Sequence, residues 1–290
     1  MMFNGRRQNE VQAIEIGIQE KSKKKGFLLI VCVLVVTSVI LVSNLMNQEK
    51  TVNFDDYKTV VGDTAENSLG KVTLNEVMVD DNQLLLNATF EPVNDIHFDH
   101  QIFFFPQVHV NGLDYTVRNR GQTIVKHKSK YTLYSSIQVS ELPKEDILTL
   151  DISYNKWNLE KKIDQPWNFH VKASQKQLQE DKIIFSINTT LSLNNSNEIT
   201  IKKVVSTPIS TTVYYDAAEN TSEIAFKITS ASGKSWRWHS GFTVEDVKNF
   251  VAVNRFDALY LMDDTYYLIP IAVADDKALG PPIQINKREK

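Results

Sequence analysis

The sequence predicts an all-β protein: two tandem β domains outside a single N-terminal transmembrane helix. Three observations predict it. An uncharged run of 20 residues, 26–45, follows a lysine cluster. Nine segments between residues 72 and 273 carry period-2 alternation or β-branched and aromatic enrichment. Three segments recur in the same order, about 120 residues further on. The organisation read from these is a cytoplasmic tail over 1–25, a transmembrane helix over 26–46, a first β domain over 47–172 and a second over 173–290.

The tail contains NEVQAIEIGIQEK (9–21), where Val11, Ile14 and Ile18 fall at i, i+3 and i+7. They form one apolar stripe on a short helix, although Ile16 lies off it and Gly17 weakens it. Alone, such a helix is marginal in water. It forms by laying the stripe in a partner's groove, or by lying on the inner leaflet with Arg6, Arg7 and the lysines near anionic lipid.

The uncharged run makes about 30 Å of helix at 1.5 Å per residue, the thickness of a bilayer core. Its polar interruptions are Thr37, Ser38 and Ser43, whose hydroxyls bond back to helix carbonyls. A cleaved signal has a shorter apolar core and a small-x-small site, and the residues after this run (SNLMN) supply none. A lipoprotein reading of Cys32 fails because Val31 precedes it and the run continues past it. Lys21, Lys23, Lys24 and Lys25 set the topology, holding the N-terminus in the cytoplasm and placing the rest outside the cell.

VTLNEVMV (72–79), QLLLNATF (83–90), YTLYSSIQV (131–139), LTLDISY (148–154) and WNFHV (167–171) are the strand segments of the first domain. KIIFSINTTLSL (182–193), TTVYYD (211–216), EIAFKIT (223–229) and YYLIPIAV (266–273) belong to the second. Asn, Asp, Gly, Ser and Pro clusters separate them, a pattern of β-sandwiches or barrels. One short helix is expected near 243–251, capped by Thr243 with Val244, Val247, Phe250 and Val251 as its stripe; a strand fits the same stretch nearly as well. VTLNEVM at Val72 recurs as ITIKKVV at Ile199, VNGLDYTV at Val110 as ASGKSWRW at Ala231, and LTLDISY at Leu148 as YLIPIAV at Tyr267. The offsets are 127, 121 and 119, which fits a duplication with shorter loops in the second copy. The polar stretch KASQKQLQEDK (172–182) marks the boundary.

The chain has 32 basic and 35 acidic side chains, of which the tail holds six and three. The remaining 26 and 32 leave the outer part at −6, which excludes a nucleic-acid partner that needs a basic footprint. The single Cys, Cys32, lies in the apolar run, so the outer part has neither disulfide nor thiol nucleophile. That usage fits a Gram-positive bacterial surface protein. The sequons at Asn87, Asn188, Asn194 and Asn220 are then chance in a Ser/Thr/Asn-rich β chain.

No catalytic residue, cofactor site or metal set emerges, so a non-enzymatic protein is expected. G-x-S-x-G, H-E-x-x-H, a phosphate-binding loop and G-x-G-x-x-G are all missing from the sequence. His97, His100 and His109 lie near Asp95 and Asp99, but residues three apart on a strand face opposite sides. Asp80-Asp81, Asp263-Asp264 and Asp275-Asp276 lack D-x-D-x-D spacing and read as turn formers. Trp236 and Trp238 share one strand face and form either an exposed aromatic platform for a sugar or peptide, or part of a core. Phe103, Phe104 and Phe105 before Pro106 read as a buried or domain-contact strand.

Three segments carry a family resemblance: x-V-T-L-x-E-V-x-x-D-x-x-x-L (71–84), W-x-F-x-V (167–171) and I-T-I-K-K-V-V-x-x-P-x-S-T (199–211). With the lysine border and the anchor, they resemble Gram-positive single-pass membrane proteins that have an immunoglobulin-like domain of unknown function followed by a second, related one. Members are described as negative effectors of extracytoplasmic-function sigma factors. The resemblance implies two immunoglobulin-like β-sandwiches outside the membrane and an anti-sigma-factor-like sensor or regulator. Its implied partners are the lipid bilayer, a sigma factor or other cytoplasmic regulator bound by the tail, and an envelope ligand or protein bound outside. The tail is short for the family. The alternative is a cell-surface binding or spacer protein with no signalling role.

Overall fold

A computed structural model of the chain describes residues 53–94, 104–157, 161–193, 198–216, 224–246 and 249–285. The expected transmembrane helix over 26–46 and the tail residues Val11, Ile14 and Ile18 lie outside these, as do the four lysines. Among the described residues no helix is long and apolar enough to cross a membrane.

The described chain is all-β. A single 3-10 turn (Phe54–Tyr57) leads into β1 (Lys58–Asn67), β2 (Gly70–Asp80), β3 (Gln83–Pro92), β4 (Gln107–Val110), β5 (Thr116–His127), β6 (Lys130–Val139), β7 (Ile147–Trp157) and β8 (Lys161–Ser174). A short helix, α1 (Lys176–Asp181), follows. The chain continues as β9 (Ile183–Ser192), β10 (Glu198–Ser206), β11 (Ser210–Asp216), β12 (Ile224–Ser230), β13 (Ser235–Arg237), β14 (Ser240–Asp246), β15 (Asn249–Asp257), β16 (Tyr266–Ala272) and β17 (Ile283–Gln284).

These strands form four sheets, ordered β1-β2-β3-β6-β5, β4-β7-β8, β9-β10-β11-β15-β14 and β13-β12-β16-β17. The first two enclose one core, in which Phe90, Phe104 and Trp167 pack ring against ring, with centroids 4.9–5.9 Å apart. The last two enclose another, around Val213, Tyr215, Phe226, Phe256 and Leu268. Alternation dictates this arrangement. In β3, Leu84, Leu86, Ala88 and Phe90 face inward and are fully buried, while Leu85, Asn87 and Thr89 between them are only half-buried. Trp167 also donates its indole N–H to the Gly70 carbonyl at 3.0 Å, tying β8 to the start of β2.

The two halves have the same connectivity. β1, β2, β3, β6 and β5 correspond to β9, β10, β11, β15 and β14, while β4, β7 and β8 correspond to β12, β16 and β17. β2 skips Asn75 in its pairing with both neighbours, and β10 skips Lys202, which is 127 residues on. Opposite these bulges stand Gly62 (φ 74°) and Asn188 (φ 46°), both left-handed. Gly112 and Gly233 occupy matching turns, with φ 81° and 90°. The third sequence alignment pairs the right strands in the wrong register. An offset of 119 sets inward Leu148 against Tyr267, whereas Tyr266 and Leu268 are the inward residues of β16. An odd shift exchanges the two faces of a strand.

The stretch near Thr243 is a hairpin, not a helix: β14 pairs with β15 through Thr243↔Ala252 and Val244↔Val251. Its β-branched residues and its place beside β11 override the i, i+3 pattern. Phe104 is core, as its aromatic cluster suggests, but it sits in extended chain before β4 rather than in a strand.

Candidate functional site

The most elaborate polar cluster among the described residues lies where the two halves meet. β2 and β3 form a hairpin whose turn is Asp81-Asn82, flanked by Asp80 and Gln83. This turn stands on the outward face of the five-stranded sheet of the second half. On β15, Ala252, Asn254 and Phe256 point into the second core, so Arg255 points out, opposite Thr212 of β11. An outward residue is ordinarily wet, yet Arg255 and Thr212 are each only 1% exposed. Val205 and Val253, of the same outward face, are buried with them.

Asp80 accepts three hydrogen bonds from the other half: Thr207 Oγ1 at 2.9 Å, Ser210 Oγ at 2.5 Å and Arg255 Nη1 at 2.9 Å. Arg255 Nη1 also donates to Gln83 Oε1 at 2.6 Å and Ser210 Oγ at 3.1 Å. The side chains of this ion pair are 1% and 0% exposed. Asp81, next in the turn, accepts the Tyr214 hydroxyl and pairs with Lys182 Nζ at 3.3 Å. Burial pushes the Tyr214 phenol well above its usual value, and the Asp81 carboxylate adds to the rise. Six buried polar atoms here have no protein partner: both amide atoms of Asn82, Gln138 Oε1, Thr212 Oγ1, and Nε and Nη2 of Arg255.

The end of α1 joins this cluster to the start of the described chain. Tyr57 donates its hydroxyl to Asp181 at 2.8 Å, and Lys182, the next residue, holds Asp81. Burial and Asp181 push the Tyr57 phenol up to about 12. Gln175, before α1, donates to the carbonyls of Pro143 and Glu145 at 2.7 and 2.6 Å, and Leu178 is buried. The link between the halves is thus clamped at both ends.

The sequence-derived candidates fall elsewhere or take structural roles. Trp236 and Trp238 are half-buried and pack against the second core, Trp236 with its ring 5.8 Å from that of Tyr266. His97 and His100 lie outside the described residues. His109 stands in one row with Asp151 and His170 across β4, β7 and β8, on an open surface depression also lined by Ser153, Asn168 and Phe169. His170 Nδ1 meets Asp151 Oδ1 at 2.6 Å. Among the described residues no group of three or more His, Cys, Asp or Glu side chains is placed to hold a metal ion. Asp264 accepts the backbone N–H groups of Ser232 and Thr265, and Asp275 that of Lys277, as turn formers do. Asp80 is the exception, a turn-edge acid drawn into a buried ion pair.

Sequence reasoning missed Arg255, because one basic residue on the polar side of an alternating strand reads as a solvated position. Two segments far apart in the sequence meet at this joint: 71–84 supplies Asp80 and Gln83, and 199–211 supplies Thr207 and Ser210.

No family model matches the chain, and no curated protein matches it. Among solved structures it is similar to the crystal structure of the conserved domain protein from Bacillus anthracis, with a TM-score of 0.56 and 18% identity. The match covers 77% of this chain and 82% of that one. At that identity the likeness concerns the fold alone.

Proposed function

We propose that this chain is a membrane-anchored, non-enzymatic regulator of the anti-sigma-factor-like kind, with two immunoglobulin-like β-sandwiches outside the membrane. The observation that carries the reading is the order of parts. A basic tail and an uncharged 20-residue run precede two sandwiches clamped together by a buried ionic joint. Such a body offers its outward sheet faces to an envelope ligand or partner protein. The apolar stripe of Val11, Ile14 and Ile18 supplies the contact inside, and a single helix relays the signal by dimerising, moving or being cut.

Retention of a sigma factor by immobilised residues 1–25 tests the reading. Retention is expected, and it should be lost when Val11, Ile14 and Ile18 are changed to Asp. Unchanged regulated transcription after deletion of the tail up to Glu20 would overturn direct capture. The clamped joint also suits a spacer that holds a binding surface away from the membrane, and that second outcome would favour it.

A further inference from the structure

We infer that the joint between the sandwiches is a two-position latch whose state is read by residues 53–57, the first described residues after the apolar run. The inference rests on the membrane-anchored reading for what the latch controls, and on geometry for how it works.

The latch has two positions because the closed one is incompletely satisfied. Asp80 accepts from Thr207, Ser210 and Arg255. Arg255, however, uses only Nη1 and leaves its Nε–Nη2 edge without a protein partner, beside the unpartnered Thr212 hydroxyl. The Asn82 amide, in the turn that covers this face, is likewise unpartnered. Separating the turn from the sheet exposes Asp80 but lets water reach every one of these groups. The balance therefore sets one good buried ion pair against several poor burials, so the closed position is favoured while the open one stays accessible. Each sandwich has its own core, so the joint opens without unfolding either.

The reader is built from consecutive residues. Asp181 holds Tyr57 and Lys182 holds Asp81, so the residue that anchors the start of the chain adjoins the one that anchors the hairpin turn. Tyr260 of the second half lies near enough to Tyr57 to influence its ionisation. Lys58 ties the same segment to the first half through Glu76 at 2.8 Å. Movement of the turn across the second sheet shifts α1, and α1 carries Tyr57. By linkage the coupling runs both ways: loosening Tyr57 loosens the turn.

Hydrogen exchange on the full chain in lipid nanodiscs tests this. Arg255→Met should raise exchange about tenfold both in 80–83 and in 53–59, while 131–139 and 266–272 stay protected. Tyr57→Phe, a half-buried position outside both cores, should raise exchange in 80–83 even though it touches no residue of the turn. If Tyr57→Phe leaves 80–83 unchanged, the inference is overturned, whatever becomes of the Arg255 variant. Arg255→Met that raises exchange at 80–83 alone overturns it too. Because the readout involves no sigma factor, its failure is separate from failure of tail capture.

Discussion

Asp80→Ala isolates the energetic role of the joint. The substitution removes a carboxylate that accepts hydrogen bonds from Thr207, Ser210 and Arg255, and leaves the Arg255 guanidinium buried with no counter-charge. Breaking a buried pair by deleting one partner costs about 3–5 kcal/mol. With a urea dependence of about 3 kcal/mol per molar, the midpoint falls by about 1–2 M. The loss falls on the joint, so the second half gives way separately from the first and one transition becomes two. Tryptophan fluorescence reads this, with Trp167 in the first core and Trp236 and Trp238 against the second, each followed with the remaining tryptophans changed to Phe. The double variant Asp80→Leu/Arg255→Met is the control, because well-packed apolar replacement of a buried pair is often nearly neutral. A midpoint for Asp80→Ala within about 0.2 M of the parent, where m-value precision hides any smaller change, refutes the closed joint. A double variant as unstable as the single one refutes the charge argument.

Three further outcomes are expected. Gly70→Ala should destabilise the first half by about 2–4 kcal/mol in the same urea assay. Gly70 has φ +151°, and an added Cβ would press on the Glu91 carbonyl and lie 2.8 Å from Phe90 Cε2. Trp167→Phe should cost about 1–3 kcal/mol in the same assay, because the buried Gly70 carbonyl loses its indole donor. The joint should weaken in alkali. The Tyr214 and Tyr57 phenols are both raised above their usual value near 10, so the folded form favours the proton. Their contribution is whole below pH 10 and declines as pH rises through 10 toward their folded values. Urea midpoints from pH 8 to 11 should show this fall, and Tyr214→Phe should flatten it.

The sequence by itself determined the β class, nine of the strands and the duplication. Each rests on a local signal: alternation at period 2, turn residues, and segments similar enough to align. It was weaker wherever those signals thin out. β1 and β5 contain few apolar residues, and the Thr243 hairpin mixes helical and strand spacings. The register of β7 against β16 was also beyond it, because offsets of 118 and 119 differ little in letters and invert every side chain. What only the tertiary structure decided is the joint. Asp80 in its turn and Arg255 on the polar side of its strand look like two ordinary solvated charges. They become one buried ion pair because a hairpin of the first half lies across a sheet of the second. Burial is a property of what covers a residue, and 175 positions of chain separate this pair. No pattern local to either residue encodes that meeting.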